Sequence, residues 1–202
     1  MDRNEMWDKA LQVWKTGARE LERLGTYIDQ DVFAKVVEAV AGCAGRVATA
    51  GVGTSAAAAR KIAHSLCCVE RPAFFLSPGD AVHGGLGAVQ PGDVAILVSK
   101  GGGTREITDM LPALRTKKAF VVGVTENPES QLARNSDLVV GIKVEKEADE
   151  FNLLATTSTT AVIAFFDAVA IALMTHTGYT RERFAVIHPG GAVGDRLLGK
   201  EG

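Results

Sequence analysis

The 202-residue sequence predicts an α/β fold, a three-layer α-β-α sandwich built on a five-stranded parallel sheet. Two observations carry that expectation. Five short runs, Arg46–Val52, Ala73–Leu76, Asp93–Ser99, Ala119–Val124 and Asp137–Ile142, are apolar nearly throughout, as strands covered on both faces are. Stretches with helical spacing separate them, and strands alternating with helices make parallel sheets.

The elements follow in order. Trp7, Leu11, Trp14, Ala18 and Leu21 recur at helical spacing and predict an amphipathic helix over Asn4–Leu24. A second helix spans about Asp31–Ala41 and ends at Gly42. These first 45 residues form a helical unit for packing or oligomerisation, and residues 46–202 form the α/β domain. After the first strand, the alanine-rich segment from Thr54 reads as a helix. After the third, Thr104–Arg115 reads as one helix with Pro112 inside it. A short helix over Glu129–Asn135 and a long apolar one over Ala155–Thr177 follow. A last helical piece, Arg181–Ile187, precedes a glycine-rich tail.

Composition excludes several classes. A net charge of −2 gives no bulk reason to expect nucleic acid or an anionic membrane as partner. The N-terminus is charged and has no apolar core, unlike a signal peptide. The longest apolar run is interrupted by Asp167, which argues against a membrane helix. The odd set Cys43, Cys67 and Cys68 reads as buried free thiols of a cytoplasmic protein. His64, His83, His176 and His188 lack metal-ligand spacing, so no metal is expected. No Walker loop occurs. Residues 51–56, GVGTSA, fit a dinucleotide fingerprint, but no acidic residue ends the second strand to hold a ribose.

In open parallel sheets ligands lie beyond the carboxyl ends of the strands. Two ends share a pattern: Gly51–Ser55 after the first strand and Ser99–Thr104 after the third. Glycine lets backbone N–H groups approach a ligand, and hydroxyls at a helix start either cap it or bind an anion. Gly53, Thr54, Ser55, Ser99, Lys100 and Thr104 are therefore candidate ligands of a phosphate between the two loops. Residues 156–160, TTSTT, are five hydroxyls in a row at the start of the long helix, with Thr156 and Thr157 foremost. Taken alone, any of these loops is also explained by capping. Glu147 lies just before the hydroxyl cluster in a polar run, and by itself reads as a solvated charge.

At this point a resemblance is specific. GVGTS, FFLSPGDAVHGGLG, GDVAILVSKGG, TTSTTA and FAVIHPGGAVGDRLL stand in the order of a sugar-isomerase (SIS) domain, and within it the chain is similar to the arabinose 5-phosphate isomerase group. The resemblance implies a flavodoxin-like sandwich that binds a phosphorylated sugar without cofactor. It also implies a homo-oligomer, usually a tetramer, whose site a neighbouring subunit completes. His83, Glu147 and His188 correspond to the acid/base residues. The sequence departs from the group at Thr54, where lysine is usual, and at Gly103, where glutamate is usual; Lys100 is a candidate replacement charge. Regulatory CBS domains often follow in this group and none is expected here.

Aldose–ketose isomerisation through an enediol needs a base at the carbon-bound proton and a proton shuttle between two oxygens. Glu147 suits the first role if burial raises its pKa toward neutrality. His83 or His188 suits the second. The alternative is a phosphosugar sensor without catalysis, which the two departures favour.

Overall fold

The computed structural model describes residues 1–190 and Gly194. Most of the glycine-rich tail therefore lies outside the described residues. Two helices come first, α1 (Arg3–Tyr27) and α2 (Gln30–Ala41). Each starts where an aspartate caps free backbone N–H groups: Asp2, in a capping box with Glu5, and Asp29. Then β1 (Val47–Gly51), α3 (Thr54–Cys67), β2 (Ala73–Phe75), α4 (Pro78–Ala81), a 3₁₀ turn (Gly85–Ala88) and β3 (Val94–Val98) follow. The remainder is α5 (Arg105–Thr108), α6 (Leu111–Thr116), β4 (Phe120–Thr125), α7 (Gln131–Arg134), β5 (Leu138–Gly141), α8 (Thr157–His176) and α9 (Arg181–Ile187).

All strand pairs are parallel, in the order β2-β1-β3-β4-β5. The three-layer α/β sandwich is thus as expected. Chain order reverses between β1 and β3, which opens a crevice at the carboxyl ends of those two strands. Alternation along each strand divides the core in two. Val94, Ile96 and Val98 pack with Ile62 of α3 and with Phe165 and Phe166 of α8, on the face that α2 also covers. Ala95 and Leu97 point the other way, to Ala81 of α4, Ile107 of α5, Leu114 of α6 and Leu132 of α7.

The α8 helix is long and apolar enough to cross a membrane. It packs instead against α1, α2 and α3, with Phe165, Phe166, Val169 and Leu173 buried in the core. Asp167, which breaks its apolar run, forms an ion pair with Lys61.

Two expectations are corrected. The segment 104–115 is two short helices, not one. Pro112 lacks an amide to donate, so it sits in the first turn of α6, where none is needed. The cysteines are free, but Cys67 is exposed and the other two half-buried. The stripe of α1 is only partly covered: Leu21 and Leu24 pack on the core, whereas Trp7 and Trp14 stay exposed, edge to face at 5.5 Å.

Candidate functional site

The crevice holds a cavity of about 100 Å³. Its wall is assembled from five chain segments. Thr54 and Ser55 come from the start of α3, Lys100 from the loop after β3, Thr125 from the end of β4, and Ser158 and Thr159 from α8; Ile142, just past β5, closes one side.

Each contributor is there for a local reason. Gly51 ends β1 with no room for a side chain, since an added Cβ would strike the backbone of Ser55. Gly53 caps α3 at φ +59°, a conformation that favours glycine. Having no side chain, it gives the first N–H groups of α3 no side-chain cap. Thr54 and Ser55 sit in that first turn and face the cavity. The positive end of a 14-residue helix thus meets two hydroxyls.

The loop after β3 is tied from below. Lys100 O accepts from Thr125 Oγ1 at 2.8 Å and from the Glu126 amide at 2.9 Å. Gly102 O accepts from the Leu132 amide at 3.0 Å. Gly102 has φ +67°, and an added Cβ there would collide with the Ser130 side chain.

Glu147 is the most constrained group nearby. It is 1% exposed although its neighbours in sequence are charged, so the expectation of a solvated charge is corrected. Glu147 Oε2 accepts from the amides of Thr156 and Ser158, both at 3.1 Å, and so caps α8 from outside the helix. Glu147 Oε1 accepts from Ser158 Oγ and, at 2.8 Å, from Lys100 Nζ. Its own amide donates to Asn152 Oδ1 at 2.6 Å. Burial alone pushes the Glu147 carboxyl up, but the hydrogen bonds from Lys100 and Ser158 and the Lys100 charge outweigh it and hold the carboxyl below the usual glutamate value. The expected rise toward neutrality is therefore reversed.

The other sequence-predicted residues are placed differently. Ser99 is buried and faces the second core, one residue out of phase with Lys100. Its hydroxyl is 2.8 Å from Thr104 Oγ1, and neither residue lines the cavity. Thr156 and Thr157 are also outside its lining; Thr156 Oγ1 is buried without a partner among the described residues. His83 is exposed after α4. His188 follows α9, stacked on Phe184 at 3.9 Å, with Nδ1 3.0 Å from Phe184 O. Neither histidine lines the cavity.

Ser158 and Thr159 of the hydroxyl cluster line the site in place of Thr156 and Thr157, and Thr125 joins them without having been singled out from the sequence. Helical spacing carries a signal for two of them, because Ala155, Ser158, Thr159 and Val162 share one face. Among the described residues no group of three metal-ligating side chains occurs.

Comparison with known proteins fits this geometry. Arabinose 5-phosphate isomerase KdsD of Yersinia pestis is 37% identical over 198 residues, 98% of this chain and 59% of that protein. The chain thus spans about three-fifths of that curated relative's length. A crystal structure from Listeria monocytogenes is 49% identical with a TM-score of 0.93, over 94% of this chain and all of that one. A protein of E. coli CFT073, solved in complex with arabinose 5-phosphate, is 34% identical with a TM-score of 0.89, again over 94% of this chain and all of that one. Residues 42–172 match the family model of the SIS domain, and the chain belongs to that family.

Proposed function

We propose that the chain is an aldose–ketose isomerase acting on a pentose 5-phosphate through an enediol. One observation carries this reading: two hydroxyls at a helix start and a lysine line one cavity, and a buried carboxylate stands directly behind that lysine and Ser158. The phosphate end of the sugar sits against Thr54, Ser55 and the start of α3. A cavity of about 100 Å³ suits that group rather than a whole ligand, since ligand pockets run to about 300–1,000 Å³. The sugar then extends over the open rim. The similarity to arabinose 5-phosphate isomerase KdsD makes arabinose 5-phosphate the first substrate to try.

In the reaction, Glu147 takes the proton from the carbon beside the carbonyl. The C–H electron pair forms the enediol double bond, and the carbonyl oxygen takes up a proton. Glu147 then returns its proton to the former carbonyl carbon, while the hydroxyl on the neighbouring carbon gives up its proton and becomes the new carbonyl of the ketose. An imidazole suits transfer between the two oxygens and ring opening. His83 and His188 lie outside the cavity of their own chain, which supports a site completed by a neighbouring copy in a homo-oligomer. The exposed Trp7 and Trp14 support a second copy against α1.

A phosphosugar sensor is the second reading. It is favoured by the low proton affinity of Glu147 and by the departures at Thr54 and Gly103. Incubation with arabinose 5-phosphate in heavy water separates the two. Deuterium entering beside the carbonyl, lost in Glu147→Gln while phosphosugar binding persists, establishes the isomerase. Saturable binding without exchange establishes the sensor.

A further inference from the structure

Lys100 is the one cationic side chain lining the cavity among the described residues, and it is spent on Glu147. The two partners are unequal. The lysine side chain is 42% exposed and reaches in from the rim, while the glutamate is 1% exposed and fixed by two backbone amides. If the pair opens, the lysine is the partner free to leave.

We propose that Lys100 is a substrate-operated release for Glu147: the ammonium holds the carboxylate until a phosphate dianion entering beside Thr54 and Ser55 draws the ammonium away. This rests on the isomerase reading and goes beyond it by saying what turns the base on. The argument is electrostatic. A dianion attracts the ammonium more strongly than a single carboxylate at similar distance. The hydroxyls and the start of α3 hold that dianion on the wall of the same cavity that Lys100 lines.

Glu147 cannot follow, because its other oxygen caps α8. Once Lys100 has moved, burial is opposed only by uncharged donors, and proton affinity rises. Lys100 supplies the charge among the strongest influences on Glu147, with Ser158 supplying neutral hydrogen bonds. Farther off, Glu20 and Arg23 of α1 face the same segment through Glu145. When the base acts, the C–H bond of the sugar breaks and an O–H bond forms on Glu147, while the electron pair enters the enediol. An unphosphorylated pentose leaves Lys100 in place and Glu147 a poor base, so the device also selects for phosphate.

The test is a ¹³C NMR titration of the Glu147 carboxyl in the full chain, with and without inorganic phosphate. Saturating phosphate is expected to raise the titration midpoint by about one pH unit or more, a tenfold rise in proton affinity. Lys100→Met is expected to raise it without phosphate and to abolish the response, and Lys100→Arg to restore the response. An unmoved midpoint in the wild-type chain overturns the proposal, whether or not the Lys100 signals shift. So does a response that survives in Lys100→Met. Deuterium exchange on arabinose 5-phosphate, run in parallel, keeps the two readings apart. A responsive Glu147 without exchange sinks the isomerase alone, and exchange with an unresponsive Glu147 sinks the release alone.

Discussion

The carboxylate of Glu20 on α1 accepts a hydrogen bond from the Glu145 amide at 2.9 Å, two residues before Glu147. Glu20 is 1% exposed, and Arg19 and Arg23 satisfy its remaining capacity at 3.1 and 2.6 Å. Arg23 continues to the Glu145 carboxylate at 3.0 Å, and Tyr27 Oη accepts from the Lys143 amide at 3.3 Å. The first helix therefore grips the segment that carries the candidate base.

Glu20→Gln should loosen that grip. An amide keeps the shape but loses the charge that Arg19 and Arg23 answer. A loss of about 1–3 kcal/mol is expected, or roughly 2–4 °C in Tm for each kcal/mol in a chain of this size. Thermal unfolding followed by circular dichroism measures it. An unchanged Tm would show that α1 contributes no hold on the 143–147 segment.

Stability should fall in acid. Burial pushes the Glu20 carboxyl up, but the Glu145 amide and the two arginines outweigh it, so Glu20, like Glu147, titrates below the usual glutamate value. As pH drops through about 4.3, the ordinary glutamate pKa, the unfolded chain takes up protons before the folded one. The contribution of both groups is thus complete above that value and is lost as pH falls through their lower folded values. Urea unfolding between pH 7 and pH 3 checks this. Glu147→Gln should flatten the dependence, and the same slope in that variant would contradict the assignment.

Ser158→Ala removes a hydrogen bond to Glu147 and a hydroxyl from the cavity wall. The Ser158 amide still caps through Glu147, so the fold should lose only about 1 kcal/mol. Turnover of arabinose 5-phosphate should fall by tenfold or more. A variant with full kcat would place Ser158 outside the working site.

Gly102→Ala is the sharpest backbone test. The substitution meets both a left-handed backbone and the Ser130 side chain, which caps α7. A cost of about 1–3 kcal/mol follows, with a displaced loop and weakened phosphate binding. Isothermal calorimetry with inorganic phosphate reads the second effect; wild-type affinity would mean the loop does not shape the cavity.

The sheet is legible in the sequence because its five apolar runs have no other stable arrangement than strands buried on both faces. The two anion loops are legible by residue type, but not by direction. Lys100 and Ser99 are adjacent in sequence and face opposite layers, and the period-2 rule applied through the end of β3 separates them. Pro112 is legible as an interruption, yet its missing amide suits a first turn rather than a helix interior. The burial of Glu147 is not legible. It depends on the start of α8 presenting free amides to a residue nine positions upstream, and on a lysine 47 positions away.

The turn after β3 has its carbonyls engaged by β4 and α7 at Lys100 and Gly102, while the Lys100 side chain hangs free of those ties. Position 100 is consequently a place where the turn holds whatever the side chain, and the expense of an exchange falls on the buried carboxylate it answers. Arginine there keeps the charge and alters which anions are welcomed, whereas glutamine or methionine strands Glu147 without its cation.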